Sequence, residues 1–187
     1  MATTKASDEA LSTKLITSKV RFSYVHVFEP TSIQEGQEKK YSVSIIISKK
    51  DKKLIDEINK RVKAAIEQGK TAKFAGKVKG LKLPLRDGDE DRPEDEAYAD
   101  SYFINATSKA KPGIVDKDLN PIMSQDDFYS GCYGRASLNF YPFNQNGNKG
   151  IAVGLNNLQK LEDSEPLSGR TSAEVDFSDL EDEDELM

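Results

Sequence analysis

In KVRFSYVHVFEP, residues 19–30, the side chains of Val20, Phe22, Tyr24, His26 and Phe28 recur at every second position. β-Branched and aromatic types predominate, so the pattern predicts a strand over 15–29 with those five on one face, closed by Pro30. YSVSIIIS, residues 41–48, repeats the alternation with Tyr41, Val43, Ile45 and Ile47 and predicts its hairpin partner across TSIQEGQEKK. The period then changes. Leu54, Ile55, Ile58, Val62, Ala65 and Ile66 recur at helical spacing, Ser48 and Asp51 resemble a capping box, and Gly69 is the expected stop. The Lys-rich outer side of this helix suits a solvated face.

Between residues 70 and 100, Gly76, Gly80, Pro84, Gly88 and Pro93 interrupt any long element and only KGLKLPL hints at a short strand, which predicts a long loop excursion from the domain. Strand patterns return in YFINATSK (102–109), YGRASLNFYPF (133–143) and GIAVGLNNLQKL (150–161). The last two flank NQNGNK, whose Asn146-Gly147 pair is a strong hairpin-turn signal. At least five short strands and one helix predict a mainly β domain of barrel or sandwich type.

Composition narrows the chemistry. At 187 residues, 36% apolar and 32% charged, the chain suits one globular domain plus some unpacked segments. The expected organisation is a disordered arm over 1–14, a domain over 15–169 and a disordered acidic tail over 170–187. No stretch approaches the ~20 apolar residues of a membrane-spanning helix, and MATTKASDEALSTK lacks the apolar region of a secretory signal, so a cytosolic protein without a membrane partner is expected. Cys132 has no second cysteine to pair with, and with His26 as the lone histidine no Cys/His zinc cluster can form.

Catalysis lacks its parts. His26 sits among aromatic and apolar neighbours and reads as a packed or edge histidine rather than a base. Asp87, Asp89 and Asp91 look like the start of a calcium loop, but Arg92 stands where glycine is needed and Tyr98 where the closing glutamate belongs. A two-metal nuclease would hold its carboxylates on rigid strands, not in a Gly/Pro-broken loop. No phosphate-binding or dinucleotide glycine motif occurs. No enzyme activity, metal or cofactor is expected.

Binding has better support, most of it in SGCYGRASLNFYPFN, residues 130–144. Read as a strand, it places Cys132, Ala136, Leu138 and Phe140 on a core face and Tyr133, Arg135, Ser137, Asn139, Tyr141 and Phe143 on the other. Rings that stack on bases, with cations that neutralise phosphates, are what single-stranded nucleic acid requires; aromatic residues packed beneath a loop would give the same pattern. Arg21, Lys109, Lys111, Lys77, Lys79 and Lys82 are the cations that would extend such a groove, although solubility alone also explains loop lysines.

Net charge is −5, but residues 171–187 hold eight Asp/Glu and no Lys/Arg, leaving 27 basic and 24 acidic side chains elsewhere. Within that body, 49–82 is strongly basic and 87–100 strongly acidic. A tethered polyanion mimics nucleic acid and can occupy the body's own cationic groove until DNA displaces it. Its partner contacts would be Phe177, Leu180, Glu181, Asp182, Glu183, Asp184, Glu185, Leu186 and Met187. A purely solubilising tail is the plainer alternative.

GRASLNFYPFNQNGNKGIAVGLNNLQKLEDSEPLSG, residues 134–169, resembles the C-terminal core of the small single-stranded DNA-binding proteins of tailed phages, and LPLRDGDED (83–91) and the acidic tail extend the likeness. The resemblance implies an OB-type five-stranded barrel that coats single-stranded DNA in replication and recombination without catalysis. It also implies a tail that recruits replication proteins, and the cytoplasm of an infected bacterium as the setting. The usual OB order places the helix between strands three and four, whereas here the helical pattern follows only two strand patterns; either the first strand is bent and counts twice or the helix is an insertion. A homo-oligomer is left open. Two other classes compete: an acidic-tailed chaperone or scaffold that binds basic proteins, and a metal-dependent nuclease.

Overall fold

The computed structural model describes residues 12–32 and 35–167; the tail residues named above lie outside the described residues. Among the described residues, one sheet contains β1 (Lys14–Ile16), β2 (Val20–Thr31), β3 (Lys40–Ser48), β4 (Arg86–Asp87), β5 (Ser101–Ser108), β6 (Gly113–Val115), β7 (Tyr133–Gln145) and β8 (Asn148–Glu162). Five of them close on themselves in the order β2-β3-β5-β8-β7-β2. Every pair in the ring is antiparallel except β5–β8, which is parallel. This is the ring of an OB-type barrel.

Alternation fills the barrel. Val43, Ile45 and Ile47 from β3, Ile104 and Ala106 from β5, Leu138 and Phe140 from β7, and Ile151, Val153 and Leu155 from β8 are all buried in one cluster. The helix α1 (Lys52–Ala72) adds Leu54, Ile58, Val62 and Ala65 to it and packs chiefly against β7. Its N-cap is Asp51, whose carboxylate accepts from the Leu54 amide, rather than Ser48. Gly69 does not stop it. A Cβ there would lie 2.4 Å from Pro142 Cβ, so this glycine lets α1 approach β7 one turn before the helix ends. The pairing rules out counting the first strand twice: β1 and β2 run along the same edge of β7, through Leu15↔Leu138 and Val20↔Gly134, so of the two only β2 belongs to the ring. The helix stays between ring strands two and three.

Two expectations are corrected. The first strand does not keep one face. Ser23 pairs with Ser44 but His26 with Ser42, so β2 carries one extra residue, a bulge. Tyr24 takes φ +46° there and turns outward, 50% exposed, as His26 does, while Val27 goes into the core. The excursion, in turn, does not leave the domain. β4 pairs with β5, Lys49 bridges Asp87 (2.9 Å) and Asp89 (2.7 Å), and the Lys49 ammonium holds both carboxyls below the usual carboxylate range. Tyr98 is fully buried against Ile46 and Phe103, and its hydroxyl donates to Ser44 Oγ at 2.8 Å. Arg92 lies 4.8–4.9 Å from the rings of Tyr24, Tyr98 and Phe103. This cover explains why β3 is buried on both faces from Val43 to Ile47.

Candidate nucleic-acid interface

Along β7, Gly134, Ala136, Leu138 and Phe140 are buried and the intervening residues are not. The inward face is therefore core, and the outward face carries Tyr133, Arg135, Ser137, Asn139, Tyr141 and Phe143. The structure divides these residues and their candidate cations into separate groups.

The middle group is a groove. Asn139 and Tyr141 from β7, Gly154 and Asn156 from β8, Thr107 from β5 with Lys109 just after it, and Lys40 from β3 line a depression of ≈ 300 Å³. Tyr141 is 40% exposed. Gly154 lies beside its ring: a Cβ there would meet Tyr141 Cε1 at 3.6 Å, an ordinary van der Waals contact. Asn139 Oδ1 accepts from Thr13 Oγ1 at 3.1 Å, which fixes that amide. Lys109 meets Glu38 at 3.6 Å, but both side chains are mostly exposed and the pair is weak.

Register extends the groove across the barrel. His26 pairs with Ser42, Ser42 with Thr107, Thr107 with Gly154, Gly154 with Asn139, and Asn139 with Lys14. None of these residues is buried, so they form one outward row over five ring strands and β1. At the 4.7–4.9 Å spacing of paired strands, the row runs about 19 Å from His26 to Asn139.

One rung beyond Tyr141, Phe143 pairs with Gly150, and Lys82 crosses Gly150, its carbonyl accepting from the Ile151 amide at 2.9 Å. The Lys149 ammonium donates to the Lys77 carbonyl at 2.8 Å, tying that loop to the hairpin, and Lys79 is exposed within it. Lys111 stands apart, 5.8 Å from the Phe28 ring.

The third group is engaged by its own chain. Tyr133 carries Lys19 and Arg21 at 5.3 Å from its ring. Lys19 also pairs with Glu162. Arg21 donates to the Gly131 carbonyl (3.0 Å) and the Glu165 carbonyl (3.1 Å), and Arg135 Nε donates to the Thr17 carbonyl (3.1 Å). Six residues of strand, about 20 Å, separate Arg135 from Tyr141. Arg21 secures the segment 163–167, whose Leu167 amide also donates to the Ser130 carbonyl. Sequence reasoning missed Lys14, Lys40, Thr107 and Gly154. Only Gly154, a glycine inside a strand pattern, left a local signal.

Comparison with known proteins shows the family and the fold. The family described as "Enterobacter phage Enc34, ssDNA-binding protein" matches residues 13–187. A putative protein p50 of Acyrthosiphon pisum secondary endosymbiont phage 1 is 32% identical over 184 residues, covering 93% of this chain and 98% of that protein. The single-stranded DNA-binding protein of bacteriophage Enc34, solved in complex with ssDNA, superposes with a TM-score of 0.75 at 24% identity, over 83% of this chain and 90% of the other. That of bacteriophage T7, gp2.5, superposes at 0.55 with 14% identity, over 89% and 93%, a likeness of fold alone. On the family match and the p50 relative, this chain belongs to the family of the Enterobacter phage Enc34 ssDNA-binding protein.

Proposed function

We propose that the protein coats single-stranded DNA without sequence preference during phage DNA replication and recombination, in the cytoplasm of an infected bacterial host, and that it is not an enzyme. The observation that carries the reading is the half-open Tyr141 ring beside Gly154, with Lys40 and Lys109 in the same groove on the outer barrel face. In OB barrels, the face of ring strands two and three binds oligonucleotides; here those strands supply Lys40 and Thr107. Stacking accepts any base, and lysines read phosphate rather than sequence. A titration with labelled oligo-dT tests the reading: binding should exceed that of duplex DNA, weaken steadily with salt, and leave the oligonucleotide uncut with or without magnesium. Equal affinity for duplex at moderate salt rejects the groove, cutting identifies a nuclease, and preference for basic proteins over DNA identifies a chaperone.

The tail belongs to the same proposal: a barrel over 15–169 carries an acidic segment over 170–187 that competes for the groove and recruits replication proteins through Phe177, Leu180 and the acidic tip to Met187. Effective concentrations on short flexible linkers reach roughly mM, enough for a weak contact to compete. Deleting 171–187 should raise affinity for oligo-dT, most at low salt where screening is least, and abolish partner binding. Unchanged affinity across a salt series would leave the tail with recruitment or solubility alone.

A further inference from the structure

A second concave site lies outside the groove. Where the β2 bulge turns Tyr24 outward, a pocket of ≈ 490 Å³ opens between β2, the excursion and residues 125–130, lined by Tyr24, His26, Phe28, Asp95, Gln125 and Tyr129 among others. We propose that this pocket receives one nucleobase of the bound single strand, stacked on Tyr24; the inference rests on the single-stranded DNA reading and extends it to a specific residue.

Three observations converge on a base. The Tyr24 ring is 50% exposed, yet it is held on one side by the Arg92 guanidinium at 4.9 Å, so an exposed aromatic is fixed rather than free to collapse. Its φ of +46° is one that aromatic residues rarely adopt and that a simple β strand would not impose. Arg92 itself is held by three rings, and its buried Nε has no hydrogen-bond acceptor among the described residues. The surrounding polar groups then select the ligand. Asp95, between Glu94 and Glu96, makes the wall unfavourable to phosphate, while Asp95 and Gln125 can accept from a base's amino or imino hydrogens. The backbone has its own cation at the rim, since Lys111 lies over Phe28 of the same pocket. Position completes the case: His26, in this pocket, begins the outward row that passes Asn139 in the groove, so one strand of DNA crossing the barrel reaches both.

The test uses the full chain, oligo-dT, and an oligonucleotide of equal length made of abasic residues. Tyr24→Ala should weaken oligo-dT binding by roughly 5- to 150-fold, leave abasic binding and the salt dependence unchanged, and Tyr24→Phe should bind like the parent. Equal weakening of both ligands, or of neither, overturns the base pocket. Should Tyr24→Ala fail to fold, photocrosslinking of the intact protein to an iodouracil-bearing oligonucleotide decides: attachment within the tryptic peptide 22–39 supports the pocket, and attachment confined to 136–149 overturns it. Failure of the intact protein to bind oligo-dT at all would instead defeat the single-stranded DNA reading on which the inference stands.

Discussion

Tyr98→Ala should cost about 3–5 kcal/mol of folding stability, the range for emptying a large aromatic side chain from a core. Tyr98 is 0% exposed. Its ring meets Phe103 edge-on at 5.1 Å between centroids and 84° between planes, and Arg92 lies on it at 4.9 Å. Truncation would uncover Ile46 and Phe103, which are 5% and 1% exposed, and leave the buried Ser44 hydroxyl without its donor. Tyr98→Phe separates the two effects: it keeps the packing and removes only the hydrogen bond, for about 0.5–1.5 kcal/mol. Urea unfolding of the two variants measures the difference. A loss below about 1 kcal/mol for Tyr98→Ala would mean that the 86–100 segment does not hold the outer side of β3 and β5.

The Tyr98 seat marks where sequence reading reached its limit. Elements specified by neighbours in the chain were legible. The period-two run of β7, the Asn146-Gly147 turn with φ of +53° and +88°, and the apolar stripe of α1 all formed where the pattern placed them. Elements specified by distant partners were not. Val20, Phe22, Tyr24, His26 and Phe28 at even positions of β2 suggest an unbroken strand, but its register is set by β3, and the extra residue at Tyr24 appears only in the pairing. Gly76, Gly80, Pro84 and Pro93 do break regular structure over 70–100; what brings the chain back is contact with distant residues, β4 with β5, Asp87 and Asp89 with Lys49, and Tyr98 with a serine 54 positions away. β1 and β6, three residues each, are too short to show a period.

The candidate site divides on the same line. Alternation along one strand was sufficient to find Asn139 and Tyr141, because a two-residue period assigns a face without knowing the partner. It also found Tyr133 and Arg135 on that face, but not that neighbouring backbone carbonyls and Glu162 engage the cations beside them. Lys14 and Lys40 are unremarkable lysines in sequence; pairing of β1 with β7 brings the first beside Asn139, and the closing of the ring brings the second to the groove.

The triple variant Lys40→Ala, Lys109→Ala, Tyr141→Ala should therefore give the largest loss of DNA affinity available without unfolding the barrel. Removing the stacking ring costs about 1–3 kcal/mol of binding. Each lysine that no longer neutralises a phosphate lowers the slope of log affinity against log salt by about 0.7 for a single strand, so the two together should flatten it by about 1.4. The three side chains lie on the outer surface, and surface replacements of this kind usually change stability by no more than ~0.5 kcal/mol each. Titrations with oligo-dT over a salt series, paired with urea unfolding, resolve both quantities. The control is Arg21→Ala: because its guanidinium holds the Gly131 and Glu165 carbonyls, it should lower stability and leave the salt slope intact. A flattened slope for Arg21→Ala with an unchanged one for the triple variant would move the phosphate track from the Tyr141 groove to the Tyr133 end of β7.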